Sequence, residues 1–384
     1  MNITVLREVR PGETRVALAP ESCAKLVKAG YSVSVETGAG VTAFYDDDAY
    51  REVGVTIGTD VAAMTAGSDI VVKVRPPVME EGRDEIGFMR PGAVLLGSLM
   101  PLRYLDVMEA LAARGVTSFS TDAIPRTTRA QSMDTLSSMA NLTGYRGVLL
   151  AAAALPKYFP MLMTAAGTVL PAKVFVIGAA VAGLQAIATA RRLGANVVAT
   201  DVRPEVKEQI ESVGAKYVGI ELKESAVAGG GYARELSEED KARQRELLAD
   251  QCAASDVVIT TALIGGVFAP KLINADIVRR MRPGSIIVDL GADGGGNCEL
   301  SKLGETIVEK GVTIVAPLNL PASMPTHASL LFSRNLTAFL LAYTRDNAFY
   351  LDMEDDIQKG AIITHEGTVV HARTLEAIRK KSEG

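Results

Sequence analysis

Short apolar runs alternate with amphipathic stretches along most of the chain. Residues 3–6, 31–36, 70–74, 93–97 and 116–120 carry the compact apolar or alternating patterns of strands. Between them, residues 20–28, 46–53, 61–66 and 104–113 repeat apolar positions at helical spacing, and the first of these helices stops at Gly30. Strands that alternate with helices build a mostly parallel sheet covered on both faces. From Thr135 to about Tyr158 the pattern is helical, with Leu136, Met139, Leu142, Val148 and Leu149 among its apolar positions. Pro156 and Pro160 close this helix, whose length suits a connector between domains. Runs at 174–177, 197–200, 217–220, 256–260, 285–290 and 312–316 then predict six more strands, in the sequence of a doubly wound sheet. A helix at 329–343 and a β-like tail at 361–370, turning at Glu366-Gly367, are too small to form a domain alone. They are expected to pack back on the N-terminal domain. The expected domains are therefore residues 1–133 with 325–384, and residues 134–324.

One stretch carries more than fold. Lys173-Val174-Phe175-Val176-Ile177-Gly178-Ala179-Ala180-Val181-Ala182-Gly183 reads as a buried parallel strand, a tight turn of small residues and the start of a helix. The next strand ends at Asp201, roughly 20 residues on, where a carboxylate reaches the ribose hydroxyls of a dinucleotide. Together they imply NAD(H). Asp201 disfavours NADP(H), since its charge would face the 2′-phosphate, although Arg203 stands beside it. Glycine is expected at the second place of G-x-G-x-x-G, and here that place is Ala180. A turn whose small residues serve packing only is the competing reading, and it stays open at this point.

Composition narrows the partners. The chain has 384 residues, 48% hydrophobic and 22% charged, enough for two domains with proper cores. A net charge of −5 and the lack of a basic tract give no reason to expect nucleic acid or anionic lipid. Cys23, Cys252 and Cys298 are widely spaced without metal-ligand spacing, which predicts free thiols in a reducing, cytoplasmic setting and no metal site. The N-terminal residues carry charges early and lack the apolar core of a signal peptide. The most apolar stretch, 148–155, is far short of the ~20 residues that cross a bilayer, so direct membrane insertion is not expected.

Candidate chemistry concentrates before the connector. Pro125-Arg126-Thr127-Thr128-Arg129-Ala130-Gln131-Ser132-Met133-Asp134-Thr135-Leu136-Ser137-Ser138 carries two Arg, a Gln, an Asp and several hydroxyls, groups able to position a nicotinamide carboxamide and a pyrophosphate. A helix start capped by Ser132 or Asp134, with solvated arginines, explains the same residues equally well. The three histidines, His327, His365 and His371, all fall late. Most dehydrogenases need a positioned acid or base, so their scarcity is informative. Arg15 and Lys73 either grip a small carboxylate at strand ends or are surface charges. Asp289 and Asp293 are expected to line the same crevice, and Asn297 to be a turn residue. Between the third and fourth strands of the second series, Ala228-Gly229-Gly230-Gly231-Tyr232-Ala233-Arg234-Glu235-Leu236 reads as a glycine-rich arm with a Tyr at its tip.

Three motifs amount to a resemblance. Arg129-Ala130-Gln131-Ser132-Met133-Asp134-Thr135-Leu136-Ser137-Ser138, Val181-Ala182-Gly183-Leu184-Gln185-Ala186 and Gly230-Gly231-Tyr232-Ala233 together resemble the NAD(H)-binding domain of proton-translocating nicotinamide nucleotide transhydrogenases, a family that also includes alanine dehydrogenase. The similarity covers essentially the whole chain. It implies an α/β fold of two Rossmann-like domains with parallel sheets, separated by a cleft and joined by long helices. It further implies a homodimeric subunit at the cytoplasmic face of the membrane, which docks on NADP(H)-binding and membrane partner subunits. Hydride would pass from NADH to NADP⁺ on the partner, and the membrane partners would couple that transfer to proton translocation. Arg126, Gln131, Asp134 and Ser137 would contact the nicotinamide end and Asp201 the adenosine ribose, while Tyr232 closes from the arm. The implied cofactor-binding set is completed by Gly178, Ala180, Val181, Gly183, Val202, Arg203, Gly231, Thr261, Ala262 and Leu263. Transfer between two nicotinamides needs no protein acid or base, which accounts for the scarce histidine. The rival readings are an alanine dehydrogenase, whose acid–base His is replaced near Met100, and a non-catalytic NAD(H)-binding module.

Overall fold

The computed structural model describes residues 1–220, 237–263, 268–345 and 348–383. It divides into two compact units, Met1–Met139 with Ala322–Gly384, and Ala140–Pro321. The first unit contains strands β1 Asn2–Val5, β2 Ser32–Glu36, β3 Thr56–Gly58, β4 Ile70–Lys73, β5 Val94–Gly97 and β6 Thr117–Ser120. All pair in parallel in the order β3-β2-β1-β4-β5-β6, which reverses direction between β1 and β4. Alternate residues explain why the sheet is buried on both sides: Ile70 and Val72 enter one apolar cluster and Val71 the other. The hairpin Ile362–His365 and Thr368–Val369 extends the sheet antiparallel to β6. Helix Pro325–Ala342 lays Phe332, Leu336, Phe339 and Leu340 into the same core as Ile3 and Val5.

The second unit contains β7 Lys173–Ile177, β8 Asn196–Thr200, β9 Lys216–Tyr217, β10 Val257–Thr260, β11 Ile286–Asp289, β12 Thr306–Glu309 and β13 Val312–Val315. Their order is β9-β8-β7-β10-β11-β13-β12, parallel except for β12. Two differences from the sequence pattern have local causes. The strand expected at 217–220 pairs only as Lys216–Tyr217, short of Gly219. The unexpected β12 is a half-exposed edge strand, with Val308 67% exposed, joined to β13 through Lys310 and Gly311, both at positive φ. A two-residue turn ending in Gly between alternating runs is a hairpin signal that could have revealed it.

The connector helix, Thr135–Ala154, begins in the first unit, continues in the second and ends two residues before Pro156. Within the second unit, Gly144 lets it pass close to the backbone at Ala182: a Cβ on Gly144 would stand 2.1 Å from the Ala182 carbonyl oxygen. Among the described residues no helix is long and apolar enough to cross a membrane.

Candidate functional site

The turn after β7 is built by two glycines with different duties. Gly178 takes φ +94°, a backbone conformation that L side chains rarely adopt. Gly183 sits at the crossing of helix Val181–Arg192 over the turn, where a Cβ would lie 1.8 Å from the Gly178 carbonyl oxygen and 3.2 Å from Thr261 Oγ1. Only hydrogen fits there. Thr261, just beyond β10, donates its N–H to Ile177 O at 2.8 Å and its hydroxyl to Gly178 O at 3.1 Å. Ala180 is the helix N-cap at φ −79° and ψ −166°, and its side chain supplies no cap. Its backbone is ordinary extended chain, so no conformational demand requires glycine there. The first N–H groups of a 12-residue helix thus open on a glycine turn, the arrangement that receives a phosphate.

Asp201 closes the other side. Its carboxylate accepts from the Ala179 N–H at 2.8 Å, from the Arg203 N–H at 2.9 Å, and from Arg203 Nε and Nη2 at 2.9 Å each. The hydrogen bonds from its guanidinium to Asp201 hold the Arg203 pKa above its ordinary value. Gly178, Ala180, Val181, Gly183, Asp201, Val202, Arg203 and Thr261 therefore surround one turn. Gly231 and Tyr232 lie outside the described residues.

Ala262 is tied down by a residue that sequence reasoning undervalued. Buried Asn297 takes both of its backbone groups: the Ala262 N–H donates to Oδ1 at 3.1 Å, and Nδ2 donates to Ala262 O at 2.9 Å. Leu263, the next residue, is 38% exposed. Asn297 is itself held by Asp289, expected to line a crevice but in fact 0% exposed. The Asp289 carboxylate accepts from Thr260 Oγ1, Ser301 Oγ and the N–H groups of Gly291, Asn297 and Cys298. It is a clasp for the loops after β10 and β11. Asp293 instead accepts from the Asn319 N–H at 3.1 Å.

In the first unit, Asp134 and Ser137 meet directly. Asp134 Oδ1 accepts from the Ser137 N–H at 2.8 Å and Oδ2 from Ser137 Oγ at 2.6 Å, so Asp134 caps the connector helix. The capping reading and the cofactor reading of this peptide are compatible, because a capped carboxylate keeps further lone pairs. Arg126 and Gln131 are exposed, flanking buried Ala130. Asn335, which carried no motif in the sequence, brackets the same peptide: Nδ2 donates to Ser132 O at 2.8 Å and Oδ1 accepts from Ser138 Oγ at 2.7 Å. Arg129 pairs with Asp355 and Asp356.

Arg15 and Lys73 are not surface charges. Arg15 is 5% exposed and forms a two-pronged pair with Glu13, Nε and Nη2 each at 2.7 Å. Lys73, 1% exposed, lies 2.8 Å from Glu85 and 3.7 Å from Glu8, at the strand ends where the sheet order reverses. Burial pushes the Glu8 pKa up, helped by the charges of Glu13 and Glu85 and opposed by Lys73 and the Val74 N–H. A raised folded-state pKa means that the contribution is fully present at low pH and is lost as the pH rises through the folded value. Glu8→Gln should therefore match the parent below pH 4.5, the ordinary Glu value, and become increasingly the more stable of the two above it. Thermal melts from acid to neutral pH check this, and parallel profiles would refute it. His327 is exposed, and the three cysteines are buried and unbonded. Among the described residues no cluster of three His, Cys, Asp or Glu could hold a metal ion.

Fold and turn together define a doubly wound α/β protein with a dinucleotide-type phosphate turn. Two family descriptions match this chain: Alanine dehydrogenase/PNT, N-terminal domain, over residues 4–143, and Alanine dehydrogenase/PNT, C-terminal domain, over residues 147–372. The chain belongs to the alanine dehydrogenase/PNT family. It is 46% identical over 376 residues to an NAD(P) transhydrogenase subunit alpha chain of Rhodospirillum rubrum, covering 97% of this chain and 98% of that one. The crystal structure of transhydrogenase from Sinorhizobium meliloti superimposes with a TM-score of 0.87 at 43% identity, over 96% of this chain and 100% of that one. Alanine dehydrogenase 2 of Staphylococcus aureus is 30% identical over 338 residues, 86% of this chain and 84% of that one.

Proposed function

We propose that this chain is the NAD(H)-binding component of an NAD(P) transhydrogenase, donating hydride to NADP⁺ held by a partner subunit. The observation that carries the nucleotide reading is the interlock of Gly178, Gly183 and Thr261 beneath an uncapped helix N-terminus, with Asp201 on the Ala179 N–H. A Cβ would fill that cradle, and its N–H donors suit a pyrophosphate. When bound, the nicotinamide dinucleotide supplies the hydride. The chain's own residues bind and orient: the helix N-terminus takes the pyrophosphate and Asp201 the ribose. Arg126, Gln131, Asp134 and Ser137 orient the nicotinamide end, and Gly231 and Tyr232 belong to the same set. No proton needs to be moved by the protein, which agrees with the exposed position of His327.

The choice over alanine dehydrogenase is supported by Arg15 and Lys73, whose cationic heads are already matched by buried Glu13 and Glu85. The names of the most similar relatives support the same choice. As the alpha component of such an enzyme, the chain would act as a homodimer held peripherally at the cytoplasmic face by partner subunits, which carry out the proton translocation. The test combines the chain with NADP(H)-binding and membrane partners and follows NADH-dependent reduction of an NADP⁺ analogue. Transfer is expected only in the complex. Pyruvate- and ammonia-dependent NADH oxidation by the isolated chain would overturn the proposal.

A further inference from the structure

Asp201 is full. A carboxylate offers about four acceptor positions. Among the described residues four donors occupy them: the backbone N–H groups of Ala179 and Arg203, and Nε and Nη2 of the Arg203 side chain. The two backbone donors fix the carboxylate to the phosphate turn and to its own loop, and neither can leave without remodelling the chain. The guanidinium can leave, since it stands at the end of a flexible side chain whose exposure is 14%. A ribose diol brings two O–H donors. It matches in number the two positions that only the Arg203 side chain can vacate.

We propose that Arg203 is the specificity-determining residue of this site: it competes with the ribose diol for Asp201, and it becomes a receptor for a 2′-phosphate once the Asp201 charge is removed. The guanidinium fork fits a carboxylate and a phosphate in the same two-pronged way. While Asp201 is ionised the fork is engaged by it, and the carboxylate repels a 2′-phosphate. NADPH is then excluded for two reasons, of which the sequence showed one. The Asp201–Arg203 pair, and not Asp201 alone, sets the nucleotide preference. This inference rests on the NAD(H) reading of the turn and deepens it.

The test titrates the full chain with NADH, NADPH and 2′,5′-ADP, the last carrying the 2′-phosphate without a nicotinamide. Arg203→Ala should bind NADH about fivefold more tightly, the scale of one ion pair at the solvent edge. Asp201→Asn should lose NADH affinity and gain at least about tenfold for NADPH and 2′,5′-ADP, as expected for a charge-assisted two-pronged contact. The double variant should lose that gain. Melting curves of the nucleotide-free variants establish that each is folded. Unchanged or weaker NADH binding by Arg203→Ala would overturn the competitor role. A gain for NADPH that survives in the double variant would overturn the receptor role. A folded parent chain that binds no NADH would instead sink the reading of the turn itself.

Discussion

Gly183→Ala should reduce NADH affinity by about 100-fold, close to 3 kcal/mol, and lower the melting temperature of the chain. The added methyl would stand 1.8 Å from the Gly178 carbonyl oxygen, a backbone atom that cannot rotate away. Overpacking of this kind costs about 1–3 kcal/mol and sometimes more. The helix must lift from the turn or the turn must open, and either shift moves the N–H groups of the phosphate cradle. Thr261 Oγ1, 3.2 Å from the same methyl, blocks a sideways escape. Ala180→Gly is the contrasting variant. Ala180 is exposed, and its φ of −79° is open to any residue, so glycine there should alter affinity by no more than about threefold. Fluorescence titration with NADH and thermal melting measure both variants. Native affinity in Gly183→Ala would show that the close helix–turn contact is not what shapes the site.

Arg126→Ala should slow hydride transfer by about 100-fold in the reconstituted complex while changing NADH affinity by only a few-fold. The guanidinium is exposed, and the peptide around it is held without it. Ala130 and Met133 are buried, Asn335 ties Ser132 and Ser138, and Asp134 caps the connector helix. The variant therefore removes an orienting group and leaves its support in place. Single-turnover transfer, compared with equilibrium binding, separates the two effects. Unchanged transfer with weakened binding would make Arg126 an affinity contact and refute the orienting role.

Much of the architecture was legible because it is written locally. Apolar runs such as Val174–Ile177 and Val257–Thr260 have no polar face, and a strand without a polar face must be covered on both sides. The strand, turn and helix around Gly178 follow from one contiguous stretch. The edge strand Thr306–Glu309 was missed because half of it faces solvent, and Asp289 was misread because an acidic residue at a strand end resembles a crevice residue until its five donors are known.

The sequence by itself determined the type and order of the elements and the residue types at the turn, since helical and strand periodicity and the need for small residues act between near neighbours. Only the tertiary structure decided what each polar group holds. Asn335 meets Ser132 across 203 positions, and Asn297 meets Ala262 across 35. Arg203 occupies Asp201 two residues away, but only because the Ala179 N–H aims that carboxylate at the turn. Such partnerships depend on which chain segments the hydrophobic core brings side by side, and a hydrogen bond exists only once donor and acceptor are within about 3 Å. The apolar pattern therefore builds the scaffold, and its folding selects which of the many polar residues become the site.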